Sequence, residues 1–282
     1  MTFDRQQVLS TFLDAATTAS KEVIRIYRES DPGVELKGPD NPVTKADRLA
    51  NALILEALQA KWPGVPIVAE ESDPETFKGF EAANSAIFVD PVDGTREFID
   101  KNAEFCVMIG LAEEGRATVG VIVCPALNRT YAAAEGIGAF IVDSEGALEP
   151  IYVSTIMELE YARCAVSRFH RSRSTDTKLG SLGCRELVPM GSCGVKGVRV
   201  AAGDIDLYAH PSYGKVMLWD ICAPDAIVHA AGGVFTDALG RPFDYRADVS
   251  QGMGILAGNE RLHAEAAARF IYYEELMWGQ QQ

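Results

Sequence analysis

From Phe3 to Arg28 apolar residues recur at helical spacing (Val8, Leu9, Phe12, Ala16, Val23, Ile24, Tyr27) with polar residues between them. This pattern predicts an amphipathic opening helix that stops near Asp31-Pro32-Gly33. Leu49 to Lys61 reads as a second helix, entered from the turn Asp40-Asn41-Pro42 and closed by Trp62-Pro63-Gly64. Short apolar runs of strand character follow: Pro66–Ala69, Ala86–Val89, Phe105–Ala112, Ala117–Cys124 and Arg129–Ala134. Turn residues punctuate them, so they read as an antiparallel meander. Further on, Ala162–Ser167 and Ile205–His210 read as strands, and Cys193–Ala202 and Ala223–Ala231 as helices. A second lobe of mixed α/β type is expected from Leu148, which divides the chain into an α+β lobe over 1–147 and an α/β lobe over 148–282. No repeat and no Gly/Ser linker separates them, so tight contact is expected, with a cleft of the kind that holds small molecules.

Of the 282 residues 48% are apolar and 23% charged, with 40 Asp plus Glu against 26 Lys plus Arg. That describes a folded chain with ample material for a core. The net charge of −14 excludes a general nucleic-acid binder, which needs clustered Lys and Arg against the phosphate backbone. No apolar stretch approaches the ~20 residues that span a bilayer, and no signal-peptide pattern opens the chain, so a cytoplasmic location without membrane contact is expected. Cys106, Cys124, Cys164, Cys184, Cys193 and Cys222 are scattered without a paired motif. Such spacing suits reduced thiols, most of them small core residues.

The densest chemistry lies in Ile87-Phe88-Val89-Asp90-Pro91-Val92-Asp93-Gly94-Thr95, where an apolar run ends in two carboxylates three residues apart. Pro91 biases Asp90 to an extended shape, so Asp90 can end a strand while Asp93 caps the following helical turn. Asp93-Gly94-Thr95 then offers a hydroxyl and backbone N–H groups to a phosphate oxygen. Two carboxylates at a buried strand end repel each other unless a cation or proton intervenes, and hard divalent ions with oxygen ligands answer that need. Taken alone, Asp90 and Asp93 fit a simple capped turn better than a metal site. Further acids alter the balance: Glu70-Glu71 follows the run Pro66–Ala69 in the same manner, Asp220 precedes an alanine-rich helix and reads equally as a plain N-cap or a functional acid, and Asp47 caps or begins the second helix.

These residues resemble the magnesium-dependent, lithium-sensitive phosphatases that include inositol monophosphatase, fructose-1,6-bisphosphatase and the 3'(2'),5'-bisphosphate nucleotidases. The matching segments are Val43-Thr44-Lys45-Ala46-Asp47, Ala69-Glu70-Glu71-Ser72, Val89-Asp90-Pro91-Val92-Asp93-Gly94-Thr95 and Trp219-Asp220-Ile221-Cys222-Ala223-Pro224, in the family's order. Ala69 departs from the glycine many relatives carry. The resemblance implies an α/β fold built as a layered α/β/α/β/α sandwich, and hydrolysis of a small-molecule phosphate ester. It implies two or three Mg²⁺ ions held by Glu70, Asp90, the Val92 carbonyl, Asp93 and Asp220. Asp47, Glu70 and Thr95 would orient and activate water, the Gly94 and Thr95 amides would hold phosphate, and the assembly would be a monomer or homodimer.

Within that family the segment Trp219 to Gly233 is more similar to the bisphosphate nucleotidases, as are Gly191-Ser192-Cys193-Gly194-Val195-Lys196, Ser167-Arg168-Phe169-His170 and Asp93-Gly94-Thr95-Arg96-Glu97-Phe98. Phe169 stands where serine is more usual in that branch. The resemblance implies 3'-phosphoadenosine 5'-phosphate as substrate, with Ser167, His170, Ser192, Lys196 and Asp220 among its contacts. His210 replaces the acid with which inositol-type enzymes hold sugar hydroxyls. The alternatives are an inositol or broad sugar phosphatase, and a catalytically silent phosphate- or cation-binding protein.

Overall fold

The computed structural model describes residues 3–38, 41–169, 171–212 and 216–279. The opening helix α1 (Arg5–Tyr27) is capped by Asp4 and buries Val8, Phe12, Ala16 and Val23 on one side, as its periodicity predicts. A hairpin of β1 (Glu35–Gly38) and β2 (Asn41–Val43) leads into α2 (Lys45–Lys61). Next come β3 (Ile67–Ala69), β4 (Ser85–Asp93) and the short helix α3 (Thr95–Ile99). Then β5 (Cys106–Glu113), β6 (Arg116–Cys124), β7 (Arg129–Ala134), β8 (Gly138–Val142) and β9 (Leu148–Pro150) run as the expected meander. All seven strands from β3 to β9 form one sheet in sequence order, antiparallel except for the parallel pair β3–β4.

The remaining chain is β10 (Arg163–Ser167), α4 (Arg173–Ser181), β11 (Glu186–Met190), α5 (Cys193–Ala201) and β12 (Leu207–His210). It continues with β13 (Val216–Met217), α6 (Leu218–Ala230), β14 (Val234–Thr236), β15 (Ser250–Gln251), β16 (Ile255–Gly258) and α7 (Glu260–Gly279). A five-stranded sheet of order β11-β10-β12-β16-β14 mixes parallel and antiparallel pairs.

Three apolar clusters stack these parts into layers. One joins α1 and α2 to the outer face of the first sheet, through Phe12, Ile54, Ile87 and Ile109. The second fills the space between the sheets, where α5 and α6 lie, with Phe88, Met108, Val195, Ile221 and Phe235. The third joins the second sheet to α4 and α7 through Leu179, Leu207, Leu256 and Phe270. The result is the α/β/α/β/α sandwich expected above. The middle layer is held close: a Cβ on Gly120 would sit 2.4 Å from the Ala223 carbonyl oxygen, and one on Gly110 would sit 2.8 Å from the Ala223 nitrogen. Only glycine lets α6 press its backbone onto β5 and β6.

All six cysteines are free thiols and four are buried. Among the described residues no helix is long and apolar enough to cross a membrane.

Candidate active site

The chain leaves the core along β4 as Ile87, Phe88 and Val89, all buried, and the strand continues through Pro91 to Asp93. Its register against β5 breaks between Asp90 and Asp93, and such a bulge re-aims side chains that strict alternation would fix. Asp90 is 2% exposed and accepts the Val92 amide at 3.0 Å. Asp93 does not cap the following turn, contrary to the sequence expectation: the N-cap of α3 is Gly94, at φ +92°, and it makes no side-chain cap bond. Asp93 turns to the start of α5 instead. Its Oδ1 accepts the Cys193 N–H at 3.1 Å, its Oδ2 accepts the Gly194 N–H at 2.6 Å, and the Ser192 hydroxyl donates to that same Oδ2. The carboxylate therefore caps α5 from β4, where unpaired N–H groups and the positive helix end favour an anion. Ser192, at φ +55°, adopts a conformation that side chains other than glycine seldom take, and its Oγ accepts the Val195 N–H at 3.0 Å.

Helix α2 begins at Lys45, four residues before the apolar pattern suggests, because Thr44 and Asp47 form a reciprocal capping box. The Thr44 N–H and hydroxyl both donate to Asp47 Oδ2, at 2.8 Å and 2.5 Å. Asp47 Oδ1 is thereby left facing α3, where it accepts the Thr95 hydroxyl at 3.1 Å. Thr95 Oγ1 also lies 3.2 Å from the Val92 carbonyl oxygen.

Glu70 follows β3, and its N–H bonds the Val89 carbonyl at 3.1 Å, which anchors it beside β4. Lys37, reaching over from β1, donates to Glu70 Oε1 at 3.1 Å and Glu71 Oε1 at 2.6 Å. Sequence reasoning missed Lys37, since an isolated lysine in an exposed four-residue strand carries no pattern. Asp220 is not an N-cap, again contrary to expectation. Helix α6 starts at Leu218 behind Met217, placing Asp220 in its first turn. Pro224, inside the same helix, lacks the N–H that would bond the Asp220 carbonyl.

Burial pushes the Asp90 carboxyl well above the usual carboxylate range, and the charges of Glu70, Asp93, Asp220 and Asp47 push it the same way. Asp220 is raised well above that range by burial, then by Glu70 and Asp93. Burial also raises Glu70, against the pull of Lys37, and Asp47, against its hydrogen bonds from Thr44 and Thr95. Burial and neighbouring carboxylates thus raise the cost of ionising four acids around β4, a set of hard oxygen donors suited by charge and chemistry to a divalent cation. Among the described residues no three His, Cys, Asp or Glu side chains stand ready as ligands of a single ion; Glu70 leans on Lys37 and Asp93 on α5.

The expected nucleotide contacts fare differently. Ser192 and Gly94 meet at the site, where a Cβ on Gly94 would lie 3.3 Å from the Ser192 Cβ. Ser167 ends β10 opposite Met190 and is buried. Lys196 departs from its expected role as a cation offered to substrate: it is 4% exposed, and its ammonium donates to the Gly191 and Ser192 carbonyls. It props the strained turn from inside. His170 lies outside the described residues. Neighbouring groups that the sequence did not single out are Glu104, which accepts Arg168 at 2.7 Å and the Gly191 N–H at 2.7 Å, and Arg96, whose guanidinium stacks 4.3 Å over the Phe169 ring.

The profile of the inositol monophosphatase family matches residues 4–272. The chain belongs to the inositol monophosphatase family. By that membership it is a phosphatase. Among curated members it is 33% identical to the 3'(2'),5'-bisphosphate nucleotidase CysQ of Escherichia coli, over 84% of this chain and 94% of that protein. It is 32% identical to inositol monophosphatase 3 of Solanum lycopersicum, over 84% and 89%. Among solved structures, the extragenic suppressor protein suhB of Bartonella henselae superposes with a TM-score of 0.81 at 28% identity, covering 94% of this chain and 98% of that one.

Proposed function

We propose that this phosphatase hydrolyses the 3'-phosphate of a 3'-phosphoadenosine 5'-phosphate-like bisphosphate, giving AMP and phosphate, and does so with Mg²⁺. The observation that carries the metal part is the buried Asp90 carboxyl with Glu70, Asp93, Asp220 and Asp47 opposing its charge. Glu70, Asp90, Asp93, Asp220 and the Val92 carbonyl would hold two or three ions, with Glu70 exchanging Lys37 for a cation. Bound there, Mg²⁺ supplies positive charge beside the phosphoryl group and makes water more acidic.

The chain's own groups handle the proton and the orientation. A water that donates to Thr95 Oγ1 can pass its proton along the 3.1 Å bond to Asp47 Oδ1. Burial raises the proton affinity of Asp47, which fits it for that acceptance. The Gly94 and Thr95 N–H groups at the start of α3 would hold the phosphate oxygens while the water oxygen bonds to phosphorus, the bond from phosphorus to the ribose oxygen breaks, and that oxygen takes up a proton from solvent to leave as the hydroxyl. Nucleotide preference rests on the Trp219 to Gly233 segment and on the likeness to CysQ.

The likeness to the Solanum lycopersicum protein favours a second reading, an inositol phosphatase. Rates measured side by side on 3'-phosphoadenosine 5'-phosphate, inositol 1-phosphate and fructose 1,6-bisphosphate, with Mg²⁺ and with chelator, separate the two. The adenosine bisphosphate should be the best substrate and chelator should abolish turnover. A faster inositol phosphate would overturn the nucleotidase reading, and chelator-resistant turnover would overturn the metal site.

A further inference from the structure

At the opposite end of α6 from Asp220, nine residues and roughly 13 Å along the axis, lies a cavity of about 710 Å³. It opens between the start of β6, the β7–β8 turn, the last turn of α6 and β14. That volume falls within the range of small-molecule pockets. Its floor is apolar, formed by the buried rings of Phe235, Phe243 and Tyr245.

The polar groups on its walls are unevenly engaged. Asp225 is saturated: its Oδ2 accepts the Tyr245 hydroxyl at 2.7 Å and its Oδ1 pairs with His229 Nδ1 at 2.6 Å. Glu135 is held by Arg5 at 2.7 Å and by Arg116 at 3.4 Å. Both carboxylates are therefore engaged by donors, and further donors remain. Asp225 fixes Nδ1 as a donor, and Nε2 makes no hydrogen bond among the described residues. The His229 side chain is 51% exposed. Burial lowers its pKa, but the bond and charge of Asp225 outweigh this and leave it raised, which favours the imidazolium. Arg116, 70% exposed, makes among the described residues only the one long pair with Glu135 and keeps most of its five N–H groups. The two cations are close enough for Arg116 to oppose protonation of His229.

We propose that this cavity binds a small organic anion, its apolar body on the aromatic floor and its carboxylate, sulfonate or phosphate head on His229 and Arg116. The site is separate from the carboxylates around β4 and does not depend on what those hydrolyse.

The test uses the folded full chain and 8-anilino-1-naphthalenesulfonate, a flat apolar anion whose fluorescence rises on burial. Titration should give saturable one-to-one binding. Losing one charge-assisted contact should weaken it roughly tenfold or more, so His229→Leu and the surface variant Arg116→Ala should each do so, and Ala230→Trp, which fills the cavity, should abolish it. Circular dichroism and a cooperative thermal melt certify that each variant is folded. Absence of saturable binding, equal affinity in all three folded variants, or equal affinity for the uncharged N-phenyl-1-naphthylamine would overturn the proposal.

Discussion

Thr44→Ala probes how a helix cap sets the geometry of the site. Thr44 is 1% exposed, and its hydroxyl both accepts the Ala46 N–H at 3.1 Å and donates to Asp47 Oδ2 at 2.5 Å. Loss of an N-cap costs about 1 kcal/mol, and loss of a buried hydrogen bond to a carboxylate about 1.5–3 kcal/mol. The Thr44 N–H still donates to Asp47, so the total should be about 2–3 kcal/mol, a fall in Tm of about 4–9 °C. Asp47 Oδ1 would no longer be aimed at Thr95, and misplacement of that order should reduce kcat roughly ten- to a hundredfold with little change in KM. Thr44→Ser should restore both properties. Thermal melts and steady-state kinetics on the single variants, on Thr95→Val and on the double variant give the comparison. Since both changes act on one proton path, their effects on kcat should be less than additive. A normal kcat in a destabilised Thr44→Ala protein would refute the positioning role, and an unchanged Tm would refute the cap.

Three further outcomes are expected. In chelator, Asp90→Asn should be at least as stable as the parent, because burial and the neighbouring acids oppose ionisation of Asp90 and a neutral amide carries no such cost, and it should lose the rise in Tm that Mg²⁺ gives the parent; a destabilised variant that still responds to Mg²⁺ contradicts the electrostatic account. His263, bonded to Thr236 and lowered by burial to a pKa of about 4 from the ordinary 6.5, takes up its proton more readily in the unfolded chain. Its contribution is complete above about pH 6.5 and is lost as pH falls toward 4, so urea unfolding at pH 7 and pH 5 should show about 2 kcal/mol more loss in the parent than in His263→Gln; parallel losses would refute this. Gly120→Ala drives a methyl into the Ala223 carbonyl oxygen and should cost about 1–3 kcal/mol or more in urea unfolding, whereas an unaffected midpoint would show that α6 can retreat from the sheet.

Helices α1 and α5 and the strands from β5 to β7 lie within a residue or two of where periodicity placed them, since each buries one face against a neighbour in the regular way. The elements that carry the acids extend further than the pattern suggested. Strand β4 runs four residues past Val89, carried through Pro91 by a bulge whose existence depends on pairing with the distant β5. Helix α2 starts early because a polar cap, not an apolar residue, opens it, and α6 starts five residues before Ala223 because Leu218 and Ile221 are buried between two sheets. Asp47, Glu70, Asp90, Asp93 and Asp220 could be picked out because acids stand at the ends of apolar runs. The partners of those acids could not. Lys37 meets Glu70 across 33 residues, and Ser192 meets Asp93 across 99, and nothing local encodes such pairings. Lys196 shows the reverse error, a cation that looks available in a motif but is consumed by the carbonyls of its own turn.

The seat of α6 on Gly110 and Gly120 has a mechanical consequence. A helix pressed backbone to backbone against β5 and β6 has no compressible side-chain layer beneath it, so α6 cannot settle deeper onto the sheet, and Asp220 in its first turn keeps a fixed height above that surface.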